Sequence, residues 1–208
     1  MKPVLDDAFL STMGDFTSDH RMRILVSACL SGLPCGVDGS SYGEFSLVLK
    51  LIRLPNVEAF TFCPEDFSFG TPRDMPDIHG GNGFDVLDRK ARVLTHKGED
   101  WTAGMIAAAE RMLKIAGKNQ IHLAILQDMS AACGTQVISD GCRLVADRKY
   151  RKGPGVCAAL LVRNGYRVVS ERDYRSLDLL FRKLDKTHTP DPNAIDHHET
   201  SWYRQYFG

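Results

Sequence analysis

Residues 24–39 read "ILVSACLSGLPCGVDG". An apolar run of strand length ends in Cys29, a glycine-rich turn follows, and Cys35 arrives six positions later. A strand that delivers a thiol into a tight loop is the pattern on which the reading of the fold and of the site turns.

Working outward, strand-like runs recur at 22–28, 57–62, 84–94 (a candidate hairpin), 121–127 and 166–169. Helical spacing separates them. "YGEFSLVLKLIRLP" and "DWTAGMIAAAERMLKIAGKN" carry apolar residues on one face, the second opening on Asp100 and closing on Gly117. "GPGVCAALLVRNG" starts near Pro154 and stops at Gly165, and a fourth helix spans about 173–186. Strands alternating with helices at this spacing predict an α/β fold: a single domain with a mostly parallel sheet covered by helices. Residues 1–21 read as an N-terminal extension and 22–186 as the α/β domain. The segment 187–208, "TPDPNAIDHHETSWYRQYFG" at its core, reads as an extended strap across that domain.

The chain has 208 residues, 43% of them hydrophobic, with 26 basic and 26 acidic side chains. That balance fits one compact core and argues against a polyanion-coating surface, so no bulk nucleic-acid partner is expected. No apolar run reaches the ~20 residues needed to span a bilayer, and the acidic start "MKPVLDDAFLSTMGDF" has no signal-peptide character. These features predict a cytoplasmic protein with no membrane partner. In a reducing compartment the six cysteines (29, 35, 63, 133, 142 and 157) are read as ligands, catalytic groups or buried apolar residues rather than disulfides.

Three of them occupy equivalent places. Cys29 follows the first strand, Cys63 the second, and Cys133 lies a short loop after "IHLAILQ". In an open parallel sheet the carboxyl ends of the strands share one edge, where ligands bind, so the three thiols are expected to converge there. Cys157, within the small-residue face of "GVCAALL", reads as core. The paired C-x-x-C spacings of structural zinc modules are absent from the sequence, and three sulfur donors suit zinc or an iron–sulfur cluster equally well. His197 and His198 are adjacent in the tail, a spacing that seldom puts two imidazoles on one ion.

The motifs "ILVSACLSGLPCGVDG", "CPEDFSFGTPRDMPDI", "GFDVLDRKARVLTHKGEDWT", "SAACG", "SDG" and "GVCAALLVRNGYRVVSE" resemble, in order and spacing over about residues 22–172, the TudS-type thiouracil desulfurase family. The resemblance implies a 4Fe-4S cluster held by Cys29, Cys63 and Cys133, with its fourth iron open to the sulfur of a thiolated pyrimidine base, nucleoside or nucleotide. It also implies that the thiouracil is converted to the uracil form plus hydrosulfide without net redox change. Glu65, two residues past Cys63, is the expected general base, and Ser130 is expected to orient water or relay a proton. Arg73 of "GTPR" reads as a clamp for a substrate carbonyl or phosphate, or else as half of an ion pair. The chain departs from the family pattern at "QDMSAACG": Gln127 and Asp128 stand where a lysine–glutamate pair is usual, and Ala131 and Ala132 replace the middle of S-P-S-C-G. The reading that competes with an enzyme is a non-catalytic zinc or iron–sulfur protein, with a site closed by a fourth ligand such as Cys35.

Overall fold

A computed structural model describes residues 5–41 and 45–208. The predicted helix "YGEFSLVLKLIRLP" begins in part on residues outside that set, and its described portion is helical over Ser46–Ile52.

In chain order the elements are α1 (Asp7–Thr12), β1 (Met22–Ser27), a 3-10 turn (Ala28–Ser31), α2 (Ser46–Ile52), β2 (Val57–Phe62), α3 (Pro64–Phe69), β3 (Pro76–His79), α4 (Gly83–Leu87) and β4 (Arg92–Thr95). There follow α5 (Thr102–Lys118), β5 (Leu123–Leu126), β6 (Val137–Ser139), β7 (Tyr150–Lys152), α6 (Val156–Arg163), β8 (Val168–Ser170), α7 (Tyr174–Leu184), a second 3-10 turn (His197–Glu199) and α8 (Ser201–Phe207). The central sheet has the order β2-β1-β5-β8 and every pairing in it is parallel. The predicted α/β class therefore holds. Two small antiparallel ribbons, β3-β4 and β6-β7, flank it.

Strand alternation divides the core into two layers. Leu25, Ala124 and Leu126 face one cluster with Met105, Met112, Val156 and Leu161 of α5 and α6. Their neighbours Ile24, Val26, Leu123 and Ile125 face the other, with Leu51, Leu177 and Leu180 of α2 and α7. Side chains with a period of two thus cover both faces of β1 and β5, which explains why those strands read as unbroken apolar runs. Each of the leucine, isoleucine, valine and methionine side chains contributes ~1.5–3 kcal/mol of burial.

The expected hairpin over 84–94 is half helix. Asn82 accepts a bond from the Phe84 amide while Asp85 accepts from the Asn82 amide, a capping box that starts α4. Only Arg92–Thr95 remains a strand, paired with β3. Local capping outweighs the apolar alternation of "FDVLDRKARVL" there. Helix α5 likewise runs through Gly117 to Lys118 and is capped at Asn119, followed by Gln120 in a left-handed conformation (φ 48°). The tail, expected to be extended, folds at its far end into α8, whose N-cap Thr200 accepts from the Tyr203 amide.

The chain passes from β1 to β2 on one side, then returns past β1 to β5 on the other. The carboxyl ends of β1 and β5 are therefore a topological switch point, where connections diverge and leave a crevice.

Candidate active site

The crevice is a cleft of about 120 Å³ whose wall includes Cys29, Cys35, Cys63 and Cys133 together with Glu65, Arg73 and Ser130. Each side chain reaches it by a local device. Cys29 sits in the 3-10 turn directly after β1, which Gly32 ends with φ 88°. Cys63 is the N-cap of α3, its Sγ accepting from the Asp66 amide at 3.4 Å, with Pro64 in the first turn. That places Glu65 in the first turn of α3, over the same cleft. The Cys63 thiol donates to the Cys35 carbonyl at 3.7 Å, and the Cys35 thiol lines the same cleft as Cys29 and Cys63. Cys157 is fully buried in α6, as expected of a core residue.

Cys133 arrives on the loop after β5, which is held from below. Asp128 Oδ1 accepts from the amides of Thr135, Gln136 and Val137 at 2.8, 3.1 and 3.3 Å. The start of α6 docks the other side: the amides of Val156 and Cys157 donate to the carbonyls of Ala131 and Ala132, both at 2.9 Å. A Cβ on Gly155 would lie 2.6 Å from those two carbonyl oxygens, so this approach requires glycine. Ala131 and Ala132, the departures from the family pattern, point into the core.

Glu65 joins the segments. Its Oε1 accepts from Ser130 Oγ at 3.0 Å, and its Oε2 accepts from Arg73 Nε and Nη2 at 3.2 and 2.9 Å. Ser130 Oγ in turn accepts from the amides of Ala132 and Cys133 at 3.2 and 3.1 Å. The ion pair is shielded, with side-chain exposures of 13% for Glu65 and 3% for Arg73. Arg73 also donates to the carbonyls of Cys35, Gly36 and Gly70 and to Thr71 Oγ1. It therefore ties the Cys35 loop and its own turn after α3 to the carboxylate.

The thiols of Cys35, Cys63 and Cys133 resist ionisation as they stand. Contact with Cys29 pushes Cys35 up to about 11, contact with Cys35 together with burial pushes Cys63 up, and burial pushes Cys133 well up. A cationic centre inverts that balance, because coordinated thiols are deprotonated outright. Several soft donors gathered in one half-buried cleft fit a thiophilic metal or an iron–sulfur cluster.

Two partnerships here escape sequence reasoning. His197 Nδ1 lies 2.6 Å from Asp128 Oδ2, so one of the tail's paired histidines clamps the loop that carries Cys133. Burial opposes the Asp128 charge, but His197 and the loop amides hold its carboxyl below the ordinary range. The second is Gln127 with Glu171, 3.0 Å apart across the end of the sheet. The departure "QD" at 127–128 was the available signal, but neither distant partner is marked in the sequence.

Residues 24–173 match the 2-thiouracil desulfurase family, nearly three quarters of the chain. The chain belongs to the 2-thiouracil desulfurase family. Among solved structures it is similar to the [4Fe-4S]-dependent thiouracil desulfidase TudS, with a TM-score of 0.63 and 33% identity over 77% of this chain and 98% of that one. It is also similar to YbbK of Bacillus subtilis, with 37% identity over 138 residues that cover 66% of this chain and 87% of YbbK. A 123-residue stretch is 27% identical to part of a protein named histidine ammonia-lyase in Shewanella woodyi, covering 59% of this chain and 22% of that protein. The desulfurase-family match ends at residue 173, so His197 and the rest of the strap lie beyond it. Among the described residues no helix is long and apolar enough to cross a membrane.

Proposed function

We propose that the protein removes sulfur from a thiolated pyrimidine by hydrolysis, giving the uracil form and hydrosulfide with no net change of oxidation state. The observation that carries this reading is that the thiols of Cys29, Cys63 and Cys133 and the Glu65–Ser130 pair share one cleft. The three cysteines are the residues that would hold a 4Fe-4S cluster, as in the TudS desulfidase that the chain resembles. When bound, such a cluster with one iron free of protein ligands supplies a Lewis acid for the thione sulfur.

The chain's own residues do the rest. Val37, Phe62, Met75 and Met129 line the cleft and give a planar ring an apolar seat that keeps bulk water away. Glu65 Oε1 takes the proton of a water that adds to the carbon bearing sulfur. Ser130, already bonded to that oxygen, orients the water and passes the proton on toward the ring nitrogen or the departing sulfur. Arg73 is a positioning residue: two hydrogen bonds to Oε2 leave Oε1 as the working oxygen of the carboxylate. Breaking the carbon–sulfur bond and retaining the water oxygen balances the reaction as thione plus water to carbonyl plus hydrogen sulfide.

One observation favours a second reading. Cys35, which lines the same cleft as Cys29, Cys63 and Cys133, is a fourth thiol that could close the site around zinc or a cluster and leave no open position. Anaerobic purification followed by iron, labile-sulfide and zinc analysis separates the two when combined with a turnover assay on 2-thiouracil. The desulfurase reading expects iron and sulfide in the protein and loss of thione absorbance matched by released sulfide. Stoichiometric zinc without turnover would establish the closed site instead.

A further inference from the structure

Gln127 lines the cleft and is more than nine-tenths buried, at the position where the family usually carries lysine. One end of its carboxamide is fixed. Nε2 donates to Glu171 Oε1 at 3.0 Å and approaches the Asp128 carbonyl at 3.4 Å, both acceptors. Glu171 cannot reverse that assignment while ionised, because its two oxygens already take the Asp128 amide at 2.7 Å, Ser170 Oγ at 3.1 Å and Arg172 Nε at 3.3 Å. Turning the amide over would set its oxygen against two other acceptors. The carbonyl end, Oε1, is therefore the end left over, and it is buried with no hydrogen-bond partner. A buried acceptor left unpaired is costly, and in a binding cleft the group that satisfies it is a donor carried in by the ligand.

Resting on the reading of the cleft as a thiopyrimidine site, we propose that Gln127 Oε1 accepts a hydrogen bond from a ring N–H next to the thiocarbonyl carbon. Gln127 is then a specificity-determining residue. It selects lactam-type thiones that keep an N–H beside the reacting carbon and rejects rings alkylated there. A lysine at this position would instead present a donor to a ring carbonyl or sulfur, so the replacement changes which edge of the base is read. The Glu171–Gln127 bond is what makes the choice sharp, since it forbids the amide from rotating to offer its NH₂ group to the ligand.

The test uses anaerobically loaded holoprotein at pH 8, above the value of about 7 to which burial pushes Glu171, and compares wild type with Gln127→Leu. Gln127→Asn, which keeps the amide but withdraws it from the cleft, guards against a packing artefact in the leucine variant. Binding of uracil and of 1,3-dimethyluracil is measured by calorimetry, and turnover of 2-thiouracil and 1,3-dimethyl-2-thiouracil by thione absorbance. Wild type should favour the N–H-bearing member of each pair by roughly 10- to 100-fold, and both variants should bring that ratio to within a few-fold of one. The binding arm does not depend on the reaction. Discrimination between the uracils without turnover of 2-thiouracil would sink the desulfurase reading and still support the role of Gln127. Equal binding of the two uracils by wild type, or a ratio unchanged in both variants, overturns that role whatever the turnover.

Discussion

Replacing Glu65 with glutamine removes the proposed base while keeping its volume, and the structure specifies the side effects. Glutamine must turn its carbonyl oxygen toward Arg73, because an NH₂ group there would face a guanidinium that is itself only a donor. Its NH₂ then points at Ser130 Oγ, which already accepts from two amides and now has no acceptor for its own proton. Breaking a shielded ion pair costs ~3–5 kcal/mol when the remaining charge has no other partner. Arg73 keeps three carbonyls and Thr71, so about 2 kcal/mol is expected. For a chain of this size that lowers the melting temperature by roughly 4–8 °C. Loss of general-base catalysis should lower turnover by about 10²- to 10⁴-fold. The assay is thiouracil absorbance loss with parallel sulfide release, on protein matched for iron and well below its melting temperature. Adding Arg73→Met to Glu65→Gln should recover part of the stability and none of the rate. Near-normal turnover of Glu65→Gln at matched iron would falsify the base assignment and leave the carboxylate as a structural partner of Arg73 and Ser130.

Single alanine replacements of Cys29, Cys63 or Cys133 should lose cluster occupancy and activity together, measured as iron and labile sulfide per chain, whereas Cys157→Ala should keep its iron. Ser130→Ala should reduce turnover less than Glu65→Gln does, because water can take over part of an orienting hydroxyl's role; a rate equal to wild type would remove Ser130 from the mechanism. His197→Ala leaves Asp128 with its three amide donors but without its ring partner, so unfolding free energy should drop by ~1–3 kcal/mol, with His197→Asn recovering part of it by keeping a donor near the Nδ1 position. Burial and the Asp128 charge push Glu171 up to about 7, so the folded state retains a proton that the unfolded chain releases near ~4.3. Its stabilising contribution is complete below the unfolded value and is lost as pH rises to about 7. Denaturant titrations from pH 4.5 to 8 should show that decline in wild type and a flatter profile in Glu171→Gln.

Much of the architecture was legible because it is local. The runs beginning at 22 and 121 are strands because their residues are apolar on both faces, and a sheet covered on both sides needs that, whereas the edge run beginning at 57 alternates, with Glu58 and Thr61 exposed. The placement of Cys29, Cys63 and Cys133 in one cleft followed from strand ends sharing an edge. Short-range chemistry of another kind produced the error at 84–94, where an Asn-x-x-Asp capping box outweighs alternation. The contacts under the site were not legible because they span the chain. His197 and Asp128 are 69 residues apart, and Gln127 and Glu171 are 44 apart. A histidine next to a second histidine carries no mark that its ring will enter a core beside one aspartate, and only the folded topology supplies that address.

The three thiols belong to chain segments separated by ~34 and ~70 residues, so any group they hold jointly closes two long loops at once. Ligands that bind only the folded arrangement draw the folding equilibrium toward it in proportion to their occupancy. With a cluster held there, the amount of intact protein in a cell would become a function of iron and sulfide supply. Chains made during scarcity would open more often and be cleared sooner, so abundance would follow cofactor availability without any separate regulator.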